Sequence, residues 1–252
     1  MTTINDILTY FEGFAPVSTA MDFDNCGLLV GDKNTAITNV LVSLDITAEV
    51  VYEAQRFGCE LIISHHPVIF NPIKKLNSSS VPYLLASFGI AAVCMHTNLD
   101  LSEEFGVNTC LGKAAGLRNI CRAESGECLF VGELDEEISV VDVVTRLKTA
   151  LDCQSLRYTE GNGKVRKIAV SSGAGGSDIF AAAEEGADIF ITGEIKHHEI
   201  NAANELGIAI ADVGHFKSED VVINPLIERL KKQFPDTGFT KSKEYSDKIK
   251  YL

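Results

Sequence analysis

Leu61-Ile62-Ile63-Ser64-His65-His66-Pro67 runs from three branched aliphatic residues straight into two imidazoles and a proline. An apolar run without polar alternation marks a strand buried on both faces, as in a parallel sheet covered by helices. The histidines follow at its carboxyl end, where ligands gather in open α/β sheets. Adjacent residues of an extended strand point to opposite faces, but a bend into Pro67 can turn both rings toward one cavity. The plainer alternative makes one ring a strand cap and the other a surface histidine.

The neighbouring segments repeat the pattern. Asn39 to Leu44 reads as a buried strand ending in Asp45, and Ala48 to Phe57 has helical periodicity stopped by Gly58. Val81 to Phe88 reads as a helix ended by Gly89, and Ile90 to Met95 as the next strand. Before them lie a helix over 3–13, with Ile4, Ile7, Leu8 and Phe11 on one face, and a short strand at Leu28-Leu29-Val30. Strands alternating with helices predict the α/β class, with mostly parallel, helix-covered sheets. Gly106 to Ala115 continues as helix, and the composition changes between Cys121 and Val131, where Glu124-Ser125-Gly126-Glu127 suggests a boundary. Beyond it the pattern predicts helices over 138–150, 178–185, 199–206 and 218–232. Strands are predicted at 156–158, 168–170, 189–191 and 208–210. The expected division is a first α/β domain of residues 1–124 with 215–252, carrying most candidate ligands, and a second of 125–214.

Bulk properties narrow the function classes. The 252 residues carry a formal net charge of −13, which disfavours an extended nucleic-acid backbone as partner. It leaves room for a single nucleotide whose phosphates meet bound metal. No run approaches bilayer-spanning length, and the opening Met1-Thr2-Thr3-Ile4-Asn5-Asp6 lacks a basic signal region. The seven cysteines are odd in number and lack CxxC spacing, and Cys59 and Cys94, in apolar contexts, read as small buried hydrophobes, which fits a reducing cytoplasm.

The second strand end, Cys94-Met95-His96-Thr97-Asn98-Leu99-Asp100, adds an imidazole and a carboxylate. Asp100 is a candidate ligand or a helix N-cap, a task Ser102 can also take. His96 is a candidate for orienting a ligand or donating to a bound anion. In Gly214-His215-Phe216-Lys217-Ser218-Glu219 the histidine and glutamate are four apart, so a helix opened by Gly214 puts them on one face. A carboxylate there can bridge two ions about 3.5 to 4 Å apart; the alternative is an exposed hydrogen bond. Imidazoles and carboxylates at converging strand ends bind first-row divalent metals and activate water. Ile191-Thr192-Gly193-Glu194-Ile195-Lys196-His197-His198-Glu199 is a further strand end. Glu194 is a candidate to orient a ligand or meet substrate, and Lys196 to neutralise phosphate. His197 and His198 read as ligand, proton shuttle or helix polarity alone, and Glu194, His96 and His198 are the candidates to move a proton. Ser171 to Ser177 is glycine-rich and reads either as an anion-binding turn or as a tight turn for close packing. It is not a P-loop, and no GxSxG elbow is present.

SHHP at 64–67, HTNLD at 96–100, GHFKSE at 214–219, DNCGLLVGD at 24–32 and TGEIKHHE at 192–199 occur in order along nearly the whole chain. Together they resemble the dinuclear metal-centre family called GTP cyclohydrolase 1 type 2 homologues, or Nif3-like proteins. The resemblance implies two α/β domains in the compact form without an inserted domain, the last helix returning to the first domain. It implies two divalent ions, with His65 and His66 on different ions; nitrogen and oxygen ligands of this kind suit Zn, Fe, Mn, Co or Ni. Asp100 would join one site, His215 the other, and Glu219 would bridge them. It also implies a homohexamer built as a trimer of dimers. The expectation is a metal-dependent hydrolase of a small phosphorylated or nucleotide-like substrate. The alternatives are a metal-handling or cofactor-assembly protein and a scaffold whose ions stabilise the oligomer.

Overall fold

The computed structural model describes residues 1–250 and 252. Its strands, in chain order, are β1 (Gly27–Val30), β2 (Asn39–Ser43), β3 (Leu61–Ser64), β4 (Ala91–Cys94), β5 (Arg118–Arg122), β6 (Phe130–Ser139), β7 (Arg157–Tyr158), β8 (Lys164–Ser171), β9 (Ile189–Thr192), β10 (Ala209–Asp212) and β11 (Gly238–Lys241). They form a five-stranded sheet of order β1-β4-β3-β2-β11 and a six-stranded sheet of order β5-β6-β8-β9-β10-β7. Two compact units result, residues 1–99 with 223–246 and residues 100–222 with 247–252.

In the first unit β4, β3, β2 and β11 are parallel neighbours, and β1 closes one edge antiparallel to β4. Leu41, Ile62 and Ala92 pack on Val50, Val51 and Ala54 of helix Ala48–Arg56 and on Leu84 and Leu85 of helix Val81–Phe88. The alternate residues Val40, Val42, Leu61 and Ile63 are equally buried on the opposite face. Burial on both faces is why these strands read as unbroken apolar runs, each such side chain contributing about 1.5–3 kcal/mol. Helix Ile223–Gln233 packs on β2 and β11. Its Arg229 donates from Nε to Tyr10 Oη at 2.9 Å and lies 4.4 Å from the Phe14 ring centre, tying it to helix Ile4–Glu12 and the turn after that helix. The buried Glu53 carboxylate accepts from Ser242 Oγ and the Lys243 amide, so its charge is hydrogen-bonded as burial requires.

The second unit has a parallel centre, β8-β9-β10, flanked by antiparallel β6 and β5 on one side and β7 on the other. Two-residue periodicity splits its core. Phe130, Ile168, Val170, Ile189 and Ile191 meet helices Val107–Ala115 and Val140–Ala150, while Val131, Ala169, Phe190 and Ile210 meet helices Ile179–Glu184 and His197–Leu206. Helix Val140–Ala150 opens on a capping box: Ser139 accepts from the Asp142 amide and Asp142 accepts from the Ser139 amide. Ser139→Ala is expected to cost about 1 kcal/mol. Urea denaturation measures it, and an unchanged midpoint would mean the cap contributes nothing.

The units divide at 99/100 and 222/223, whereas the sequence pattern suggested 124/125 and 214/215. The polar stretch at 124–127 is the turn of a hairpin: Arg122 pairs with Phe130, and the Ala123 amide donates to Leu129 O at 2.8 Å. Helix Val107–Ala115 belongs to the second unit because its Leu111 and Ala115 enter that unit's core. The helix expected over 218–232 is two, His215–Asp220 and Ile223–Gln233. Pro225 lacks an N–H and would clash with the carbonyl four residues back, at Val221, so no continuous helix can pass there. Asp100, His215 and Glu219 therefore belong to the second unit and His65, His66 and His96 to the first. Among the described residues no helix is long and apolar enough to cross a membrane, and all seven cysteines are free thiols.

Candidate metal centre

Three parallel strands of the first unit stop in one row, with Ser43 opposite Ser64 and Ser64 opposite Cys94. The ladder continues one step further: His65 N donates to Ser43 O at 3.3 Å, His66 N to Leu44 O at 2.9 Å and Met95 N to Ser64 O at 2.9 Å. The residues just beyond this row carry the chemistry. The His65 and His66 ring centres are 5.0 Å apart, and they lie 5.1 and 5.4 Å from that of His96. One nitrogen from each ring lies within 4.8 Å of the others, spacing that suits a shared cation. The chain bends at His65 and His66 themselves, just ahead of Pro67, and the two rings come together.

Each ring is oriented through Nδ1. His65 Nδ1 lies 2.8 Å from Met95 O, His66 Nδ1 3.0 Å from an Asp45 oxygen and His96 Nδ1 2.8 Å from Asp24 Oδ1. A carbonyl only accepts, so the proton of neutral His65 sits on Nδ1 and the lone pair on Nε2, the form a cation takes. The fully buried Asp24 carboxylate also accepts from the Thr97 amide at 3.0 Å, from Thr97 Oγ1 and from Cys26 Sγ. Burial pushes its pKa up, but the hydrogen bonds from His96, Thr97 and Cys26 outweigh burial and hold it well below the usual carboxylate range.

The second unit repeats the construction. Ser171, Thr192 and Asp212 end β8, β9 and β10 in one row. Gly214, at φ 84°, opens helix His215–Asp220. One turn of that helix sets His215 Nε2 3.1 Å from Glu219 Oε2, and His215 Nδ1 lies 2.6 Å from Glu194 Oε1. The Glu219 hydrogen bond lifts the His215 pKa to about 9 against burial, helped by the charges of Glu219 and Glu194. In the ion-free protein the ring is therefore an imidazolium between two carboxylates, and a cation at Nε2 would take the place of a proton.

The glycine-rich turn serves this carboxylate. The Gly173 amide donates to Ser218 Oγ at 2.9 Å and the Ser172 amide to Asn108 Oδ1 at 2.8 Å, so these N–H groups are already engaged. A Cβ on Gly173 would stand 2.2 Å from Glu219 Oε1. The tight-turn reading of 171–177 fits this packing at Gly173, where the Ser172 and Gly173 amides are already taken.

Asp100 ends the helical turn Thr97–Asp100, is buried, and its carbonyl accepts from Asn108 Nδ2 at 3.2 Å. Ser102 Oγ accepts from the Phe105 amide at 3.4 Å, but neither Asp100 nor Ser102 caps a helix: the next one, Val107–Ala115, opens at Gly106 without a side-chain cap. His198 is brought to neither group: its ring is 75% exposed and its nearest carboxylate, on Glu199, is 3.9 Å away. Lys196 and Glu194 line a cavity of about 490 Å³ in the second unit, together with His215 and Arg157. Sequence reasoning missed the orienting roles of Asp24 and Asp45. Asp45 follows β2 as His66 follows β3, so the strand-end rule could have found it. Asp24 follows no strand and gave no such signal.

The model of the family Duf34/NIF3 (NGG1p interacting factor 3) matches residues 2–248. A Clostridium perfringens protein named GTP cyclohydrolase 1 type 2 homolog is 34% identical, with 99% of each chain covered. A Clostridium acetobutylicum protein of the same name is 32% identical over 86% of this chain and 85% of its own. Among solved structures, the Staphylococcus aureus hypothetical protein SA1388 is similar at a TM-score of 0.89 and 29% identity, covering 99% of both chains. Reduced HcgD from Methanocaldococcus jannaschii is similar at 0.83 and 26% identity, covering 95% of this chain and 97% of that one.

Proposed function

The chain belongs to the Duf34/NIF3 family, and from that premise we propose that it is a divalent-metal-dependent hydrolase of small phosphorylated or nucleotide-like molecules. His65, His66, Asp100, His215 and Glu219 would hold two ions in this reading, Glu219 being shared between them. The observation that carries it is the orientation of four imidazoles. Nδ1 of His65, His66, His96 and His215 each meets an oxygen, of Met95, Asp45, Asp24 and Glu194 respectively. Such outer partners fix the tautomer and raise ligand basicity at metal sites, and four together exceed what sheet packing requires.

The donor set of imidazole nitrogens and carboxylate oxygens fits Zn, Fe, Mn, Co or Ni. Divalent ions there would supply Lewis acidity and a lowered pKa for water. The protein's own groups would do the rest. Glu194, 59% exposed on the cavity wall, would hold His215 through Nδ1 and pass a proton to or from the reacting group. His96, fixed by an Asp24 that stays ionised, would donate to the charge that develops on the substrate. His198 has no part in this scheme. We further propose, from the motif resemblance, a homohexamer built as a trimer of dimers, and, from its free thiols, a place in the reducing cytoplasm.

Protein purified without added metal and assayed by elemental analysis is expected to hold up to two first-row ions per chain. Restoring the ion found should give turnover in a screen of phosphate monoesters and nucleotides, lost again with chelator. Bound ions without turnover across that screen would favour a metal-handling protein, and a chain that binds no divalent ion would end the proposal.

A further inference from the structure

The cavity of the second unit lies beyond the carboxyl ends of β8, β9 and β10, the edge at which open α/β sheets bind ligands. Its volume of about 490 Å³ is within the range of small-molecule pockets. Leu156 and Ile195 supply apolar wall, and the remaining lining is unusual in how its charges are distributed.

Each acidic group on the wall already has a partner within this unit. Asp212, buried, accepts from Arg157 and from the Gly214 amide at 3.1 Å. Glu199, also buried, accepts from the Lys196 amide at 2.7 Å. Glu194 meets His215. The cations differ: the Lys196 side chain is 76% exposed, with its ammonium no nearer than 3.9 Å to Glu199, and the Arg157 side chain is 70% exposed while Asp212 grips one nitrogen. A guanidinium has five donors in a rigid fork, so a carboxylate on one nitrogen orients the remainder for a second acceptor. The chain as a whole is strongly acidic, so these two cations are a local exception rather than part of a basic surface.

We propose that this cavity is a substrate subsite in which Arg157 and Lys196 hold the phosphate of a nucleotide-sized monoester while Leu156 and Ile195 cover its apolar body. The assignment rests on the hydrolase reading for the purpose of the site, though not for the binding itself. Lys196 supplies the positive charge for the phosphate, and the donors of the Arg157 fork that Asp212 leaves open make the contact directional.

The test uses the full chain stripped of metal by chelator, so that binding is read without turnover. Adenosine 5′-monophosphate, adenosine and inorganic phosphate are titrated calorimetrically at fixed ionic strength. The monophosphate is expected to bind at least tenfold tighter than adenosine and than phosphate alone. Lys196→Gln should shrink the monophosphate-to-adenosine ratio at least threefold, and Lys196→Gln with Arg157→Gln should remove it. Arg157→Gln strips Asp212 of its partner and could unfold the unit; in that event Lys196→Gln and Lys196→Glu, at an exposed position, decide the matter by circular dichroism and titration together. No measurable monophosphate binding, equal affinity for adenosine, or a ratio unmoved by the Lys196 variants would overturn the subsite. Intact binding with no turnover after metal is restored would instead count against the hydrolase reading and leave the subsite standing.

Discussion

Replacing Glu219 by glutamine is expected to reduce divalent-ion content from two per chain to one or none. The side chain is only 6% exposed and sits 3.1 Å from His215 Nε2, so the substitution keeps volume and position while removing the charge. A bridging group must present an anionic oxygen to each ion, and a carboxamide offers one weak oxygen and an NH₂ that repels cations. Elemental analysis and a metal titration read the result. In the ion-free variant His215 should also titrate lower, since Glu219 is the main group holding its pKa up to about 9; an NMR titration of the ring checks that the intended contact was removed. Two ions retained at unchanged affinity would show that Glu219 does not bridge.

Gly173→Ala attacks the same carboxylate from the backbone side. Gly173 has φ +59°, and its added Cβ would fall 2.2 Å from Glu219 Oε1 and 3.4 Å from His215 Cε1. The left-handed conformation alone costs an alanine about 1–2 kcal/mol. Displacing a buried carboxylate comes on top of that and should weaken ion binding by an order of magnitude or more. Gly163→Ala separates the two effects, because Gly163 has φ +82° with nothing within 4 Å of the new atom. Both variants should lose comparable backbone stability in urea, but only Gly173→Ala should lose metal. Equal metal content in the two would mean that the turn does not support the site.

The parallel strands were legible because both of their faces are buried, which leaves an unbroken apolar signature at Leu61-Ile62-Ile63 and Ile189-Phe190-Ile191. The pairing of His215 with Glu219 was legible for a similar reason, since one helical turn fixes it once Gly214 opens the helix. Longer-range facts were not. Asp24 and His96 meet across a separation of 72 residues, which no local periodicity encodes. The acidic turn at 124–127 resembled a linker in composition, because hairpin turns and linkers draw on the same residues. His198 looked like site chemistry by its neighbours, but helix His197–Leu206 turns it to solvent.

The main-chain bonds that carry the first unit's histidines extend the ladder of a central strand flanked on both sides: the His65 amide is spoken for by Ser43 of β2, the His66 amide by Leu44 just past it, and the Met95 amide by Ser64 of β3. These positions cannot fray as a loop tip does, since releasing them means unzipping the middle of a sheet. Whatever enters or leaves beside those rings must do so by side-chain rotation against a fixed backbone. Exchange of an ion would then be paced by the imidazoles and their oxygen partners, and a chelator would gain access without any part of this strand coming undone.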